Sequence, residues 1–322
     1  MQRILIFLVC LAGCGLCWMV WQAANGEYAP QPVVVLLADE AGAEYIELGA
    51  IDTSDPEYIV QHIEPESNSL PTALQELCDH EDFALKAVVI ATGSSSRTGQ
   101  LAIRLLQKNI PVVMAGPAPA QPVLNHPMAW YVGSEAAGGG EALGKLFAEE
   151  FRDGALPDRN DDHLMQYIAF GTDETPFSQE FLNAFLIECE HYGVYNDPVT
   201  LIEQEPVEDA AAEPATTLSG TPELILFGGR TSGEDAFALA AQHGLLEGET
   251  PTLLGGFAMT ETDAKEVVEA GAMAAVYYDL VTVTRTVRTL VRNLAAEEAP
   301  LMGLDIPADG QQFHIPLLVY EG

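Results

Sequence analysis

The residues of this chain that could meet a ligand gather in short polar clusters, each closing an apolar, β-branched run. Asp39 and Glu40 follow VVVLLA and offer acceptors to a hydroxyl or ammonium group, or a cap to the next helix. After KAVVIA comes Thr92-Gly93-Ser94-Ser95-Ser96-Arg97, whose hydroxyls and free backbone N–H groups suit a carboxylate or other anion while one serine caps a helix. That cluster lacks the lysine and the spacing of a phosphate-binding P-loop, so nucleotide hydrolysis is not expected. Thr172, Asp173 and Glu174 follow MQYIAF, with Phe177 close behind, and an acid beside an aromatic wall fits a ligand with an apolar face. Arg230 follows LILFGG, where it can meet a ligand or pair with a neighbouring acid, and Phe257 and Asp279 close two further runs. Gly138-Gly139-Gly140 with Gly144 falls inside a helical pattern, where small residues permit close helix packing rather than phosphate binding. No nucleophile elbow, no catalytic carboxylate pair with a third group and no His/Cys metal spacing is present. The chemistry read here is binding, with no catalytic residue, metal or cofactor.

Charge narrows the partner. The 322 residues carry 48 acidic and 13 basic side chains, a formal charge of −35. No cationic surface exists to displace counterions from phosphates, so nucleic acid is excluded as a partner, and polyanionic ligands are disfavoured by the same field.

Positioning these clusters requires a particular architecture. The length suits two α/β lobes of about 100 to 200 residues each. Short apolar runs at 33–38, 58–62, 87–91, 111–115 and 130–132 read as strands, as do 165–170, 199–203, 224–227, 252–254 and 274–278, with an edge segment near 314–320. Amphipathic segments at 97–108, 141–151, 178–191, 235–243 and 281–294 alternate with them, the first with Leu101, Ile103, Leu105 and Leu106 on one buried face. Strand-helix alternation implies parallel sheets covered on both faces, with functional residues at the C-terminal ends of the strands. The aperiodic stretch 204–221, rich in Glu, Ala, Pro and Thr, reads as a mobile surface loop.

The N-terminal MQRILIFLVCLAGCGLCWMVWQ has one positive charge, Arg3, before an apolar run, and reads as a targeting or anchoring segment over 1–24 with a linker at 25–31. Leu11-Ala12-Gly13-Cys14 has the form of a lipobox, which would place lipid on Cys14. The run is also near the roughly 17 to 25 apolar residues that span a bilayer, and a signal peptide cut near Ala23 or Ala24 is the third reading. All three put the body outside the cytoplasm, held at the membrane by its N-terminus in the first two. Outside this segment only Cys78 and Cys189 remain, both in helical patterns, so no disulfide framework is expected.

The segment KAVVIATGSSSRTGQLAIRLLQKNIPVVMAG resembles, in order and length of elements, the third strand, helix and fourth strand of the type 1 periplasmic sugar-binding proteins, the galactose- and ribose-binding family. WYVGSEAAGGGEALGKLF is similar to that family's first crossover, and PELILFGGRTSGEDAFALAAQHG and VVEAGAMAAVYYDLVTVTRTVRTLVRNLA to later strand-helix units. The resemblance implies two doubly wound parallel-sheet lobes, 32–132 with 280–300 and 133–279 with 301–322, joined by three crossovers near Gly133, Asp279 and Met302. It implies a ligand in the interlobe cleft, sugar-like by family, and the permease of an ABC importer as partner. The polar readers that the family uses are missing here. Thr92 follows Ala91 where the family has Asn, and Thr175, Phe177 and Phe181 stand where His, Asp and Arg are expected. Gly228-Gly229-Arg230 replaces Asn-Asn-Asp, and Phe257 follows a strand with no Asp, while Asp279 alone keeps polar character. The residues expected around the ligand are Asp39, Glu40, Thr92, Ser94, Thr172, Asp173, Phe177, Arg230, Phe257 and Asp279. An uncharged or partly apolar solute is one reading of these substitutions, and a sensory or interaction module that has lost sugar binding is the other.

Overall fold

The computed structural model describes residues 30–51, 59–63, 83–154, 156, 158–170, 176–203, 216–228, 233–246 and 252–322. Strands of the first half are β1 (Gln31–Ala38), β2 (Ile59–Ile63), β3 (Phe83–Ala91), β4 (Val112–Ala115) and β5 (Ala129–Gly133). They are followed by β6 (Leu164–Phe170), β7 (Tyr195–Pro198), β8 (Leu201–Glu203), β9 (Thr216–Leu218) and β10 (Leu224–Phe227). The last five are β11 (Leu253–Ala258), β12 (Ala274–Tyr277), β13 (Ala308–Asp309), β14 (Gln312–His314) and β15 (Leu318–Glu321). Helices that matter below are α1 (Ser95–Leu106), α2 (Gln121–Leu124), α3 (Ala136–Asp153), α4 (Pro176–His191), α5 (Gly233–Gln242), α6 (Glu261–Glu269) and α7 (Leu280–Ala295).

Two large sheets result, one per lobe, with β8 and β9 forming a separate two-stranded one. The first has seven strands in the order β13-β14-β5-β4-β3-β1-β2, and the second six in the order β15-β12-β11-β10-β6-β7. The central strands pair in parallel and are buried on both faces, which is why they read as unbroken apolar runs rather than alternating ones. On β1, Val33, Val35 and Leu37 pack under α1, while Val34 and Leu36 meet Val283, Val287, Leu290 and Val291 of α7 on the opposite face. On α1 the buried face is Leu101, Ala102, Leu105 and Leu106; Ile103, expected among them, is exposed. In lobe two, α3 and α4 approach so closely that a Cβ at Gly140 would lie 2.2 Å from the Phe181 carbonyl oxygen. The glycine run therefore serves packing.

The chain leaves lobe one after β5 and returns after β12, at Gly133 and Asp279 as the sequence suggests. The third crossing differs. Residues beyond 301 do not enter lobe two but form the β13–β14 hairpin, which pairs with β5 in the first sheet. Only at Ile315–Leu317 does the chain cross, to reach β15 beside β12. Two contacts hold 301–314 in lobe one: buried Asn293 of α7 donates to the carbonyls of Pro300 and Met302, at 2.9 and 2.8 Å, and Phe313 and Ile315 enter that lobe's core. The edge segment near 314–320 is thus two strands in two sheets. Within 204–221, residues 216–218 are not loop but β9, antiparallel to β8.

Cys189 is buried and unpaired, its thiol pushed up to about 12 by burial first and then by Glu188. Cys78 lies outside the described residues, as do residues 1–29 with Cys14. Among the described residues no helix is long and apolar enough to cross a membrane.

Candidate functional site

Among the described residues, the C-terminal ends of β1 and β3 carry Asp39, Glu40, Thr92 and Ser94, and all but Glu40 are turned onto the protein itself. Asp39 Oδ1 accepts from the backbone N–H of Gly42 at 2.7 Å and of Gly93 at 3.0 Å, and Oδ2 pairs with Arg97 Nη1 at 3.2 Å. Thr92 is fully buried; its hydroxyl donates to the Ser94 carbonyl at 3.0 Å and accepts from Thr98 Oγ1 at 2.8 Å. Ser94 is exposed and caps α1 by accepting from Arg97 N–H at 3.4 Å. Glu40 is exposed beside them. Asp279 caps α7 through Oδ1, which accepts from Thr282 N–H at 2.9 Å. Four of the expected polar readers, Asp39, Thr92, Ser94 and Asp279, therefore spend hydrogen bonds on nearby backbone, as caps and loop ties.

Aromatic rings occupy the ground between the lobes. Phe177 and Phe257 stand 5.1 Å apart, and both meet Tyr278, at 5.5 and 5.0 Å. Phe181 backs Phe257 at 6.4 Å, and Tyr45 reaches across from lobe one to pack edge-on against Tyr278 at 5.4 Å. Such tilted and edge-on pairs add to area burial. Phe257, Phe181 and Tyr278 are buried and form the wall, while Phe177 and Tyr45 keep part of their surface exposed. Two glycines make room for Tyr45. A Cβ on Gly42 would sit 1.8 Å from the Ala91 carbonyl oxygen, and Gly116, with φ of 101°, lies directly under the Tyr45 ring. Tyr131 donates to the Gly116 carbonyl at 3.0 Å from the same floor. Burial first pushes both phenols up, joined at Tyr131 by Glu135, Tyr45 and Glu180 and at Tyr278 by Tyr45 and Tyr131, so both stay neutral.

No protein-family model and no curated protein sequence matches the chain. Solved structures do match it along almost its whole length. A periplasmic ribose ABC transporter protein from Conexibacter woesei shares 15% identity at a TM-score of 0.59, covering 92% of this chain and 94% of its own. An ABC transporter solute-binding protein from Bacillus halodurans, solved with bound myo-inositol, gives 13%, 0.57, 92% and 96%. This chain has the type 1 periplasmic-binding-protein fold. The same fold appears in a Brachyspira murdochii protein described as an ABC transporter, LacI family transcriptional regulator, at 10% identity, TM-score 0.58, and coverages of 90% and 94%. At 15% identity or less, these likenesses show the fold alone.

Of the sequence-derived set, Phe177 and Phe257 pack on each other and on Tyr278, Asp279 follows Tyr278 as the cap of α7, and Asp39, Thr92 and Ser94 share one network at the ends of β1 and β3. Thr172, Asp173 and Arg230 lie outside the described residues. Tyr45, Tyr131 and Tyr278 were not foreseen. Tyr278 directly precedes Asp279 and could have been found from its place at a strand end, whereas Tyr45 lies seven positions beyond Ala38, past any strand signal. A second cluster passed unnoticed in DRNDDHLMQ: Asp158, Asn160, Asp162, Leu164 and Gln166 follow the alternate-residue spacing of oxygen donors in calcium loops. Asp158 accepts from the N–H groups of Asp162 and His163, and His163 takes a φ of 63°. Buried Glu223 lies against this loop and accepts from Arg159 N–H at 2.6 Å and Gln166 N–H at 3.0 Å. Burial pushes its carboxyl up against those two hydrogen bonds, and nearby Asp158 and Asp162 push the same way. These oxygen donors are turned onto backbone amides and onto one another's side chains, Asp162 accepting from Asn160 Nδ2 at 2.7 Å and from Gln166 Nε2 at 2.9 Å; among the described residues no three His, Cys, Asp or Glu side chains form a metal-holding group.

Proposed function

We propose that this protein is an extracytoplasmic solute-binding protein, tethered at its N-terminus, whose interlobe crevice captures a small uncharged molecule with an apolar face and presents it to an ABC-type importer. One observation carries the reading: the rings of Tyr45 and Phe177 keep exposed surface at the crevice while Asp39, Thr92 and Asp279 are engaged with backbone. A ring-lined site rewards stacking and apolar burial, and a hexose there would leave hydroxyls unpaired at about 1 to 3 kcal/mol each. The neighbours' titles support the class, since several are ABC transporter binding proteins. A thermal-shift screen of the full-length chain in detergent against nucleosides, amino acids, polyols and sugars tests it, because a ligand of the folded state raises the melting temperature by mass action. The hit should lose about tenfold or more in affinity in Phe177→Ala, a change of about 1.4 kcal/mol. Submicromolar binding of glucose, galactose or ribose in this crevice would sink the reading.

A sensory or interaction module is the second reading, favoured by the Tyr45–Tyr278 contact, which joins the lobes ring to ring with nothing between them. A screen in which no compound shifts the melting temperature would decide for it. The tether has its own test: mass spectrometry of the mature chain, where an N-terminal diacylglyceryl Cys14 supports the lipobox and an intact Met1 supports the uncleaved span.

A further inference from the structure

On β14 the sheet breaks its own pattern. Phe313 and Ile315 enter the core on the α7 side, so Gln312 and His314 project to the other face, the side on which Val35, Ile90, Met114 and Tyr131 are buried under α1 and α2. Two successive inward positions are therefore polar where the neighbouring strands place apolar residues. The reason is local: α2 is only four residues long and ends beside β5, leaving β14 uncovered. Between α2, the β13–β14 hairpin and the start of α3 lies a cavity of about 540 Å³, inside the range of about 300 to 1,000 Å³ common to small-molecule sites.

Its lining is unlike the crevice. Gln121, Asn125 and Gln312 contribute carboxamides, Glu135 and Asp309 carboxylates, and His314 an imidazole, with no lysine or arginine. A carboxamide donates and accepts in one plane, which matches hydroxyl groups that do both. Carboxylates with no balancing cation repel anions. His314 Nδ1 is sealed from solvent and faces Glu135 Oε1 at 2.9 Å without the alignment of a hydrogen bond, while its ring packs edge-on to Tyr131 at 6.2 Å. We propose that this cavity is a second binding site, separate from the interlobe crevice, for a neutral polyhydroxylated molecule, a sugar or polyol. It lies beside the hinge, between β14 of lobe one and the start of α3 in lobe two, and needs no ligand in the crevice.

The test is a titration of the full-length chain in detergent with glucose, myo-inositol and maltotriose, by calorimetry and by backbone amide shifts. At least one probe should bind with a Kd below about 1 mM, moving amides of 121–125 and 309–314. The pair Asn125→Ala with Gln312→Ala, both solvent-reached positions, should weaken binding at least tenfold with an unchanged melting temperature. Saturation by glucose or myo-inositol alone assigns a free solute, and by maltotriose alone a glycan chain. Absence of binding by all three probes overturns the proposal, as do shifts confined to Tyr45, Phe177 and Tyr278, which would move the sugar to the crevice. Because the shift map needs no variant, it decides even if the double substitution fails to fold.

Discussion

At the ends of β1 and β3, carboxylate and hydroxyl groups are consumed by the backbone around them, whereas on β14 the side chains of Gln312 and His314 line the edge cavity. The strand ends are tied down in their polar parts, and the rings of Tyr45 and Phe177 keep part of their surface exposed. The edge cavity is lined mostly by polar side chains, with Leu124 among them. Polar side chains at a strand end are thus no guide to recognition until their hydrogen bonds are accounted for, since the same residue types can hold a loop or hold a ligand.

Substitutions at the two places should behave accordingly. Gly42→Val is the severest, because its side chain would fall on the Ala91 carbonyl and lift the Tyr45 arch off the sheet. A loss of about 3 kcal/mol or more is expected in denaturant unfolding, and an unchanged midpoint would mean that Tyr45 does not sit over β3 and β4. Asp39→Ala comes next: it strands the Gly42 and Gly93 amides and should cost about 2 kcal/mol, against less than about 0.5 kcal/mol for Gln312→Ala. Equal costs at the two positions would erase the contrast. The mildest effect is alkaline. With the Tyr278 phenol held above its ordinary 10.0 by burial, the unfolded chain ionises first, so the neutral phenol's contribution is complete below about pH 10 and is lost as pH rises beyond it. Melting temperature should fall more steeply above pH 10 in the parent than in Tyr278→Phe, and parallel curves would place the ring in water.

Much of the architecture was legible because parallel strands buried on both faces must be apolar along their whole length, as in VVVLL and KAVVIA. Close helix packing left its mark in Gly140 and Gly144. The third crossing was hidden for the converse reason: β14 is three residues long and two of them are polar, so no apolar run announces it. For the crevice, types alone marked Phe177, Phe257 and Asp279, but nothing in the letters separates the capping Asp279 or the buried Thr92 from a ligand-facing one, and Tyr45 is positioned by two glycines whose role only the backbone reveals.

The pairing of β14 with β5 bears on how the lobes can swing. Gly133 and His314 are register partners, and Ile315 N–H donates to the Gly133 carbonyl at 2.8 Å, so the first and third crossings leave lobe one laced together. On arrival they stay neighbours, for the Leu317 side chain packs against Gly139 of α3. Three covalent threads therefore amount mechanically to two: a double ribbon and the lone strand through Asp279. A joint on two supports turns readily about the line between them and resists torsion across it, so relative travel of the lobes is channelled into a door-like opening with a single axis.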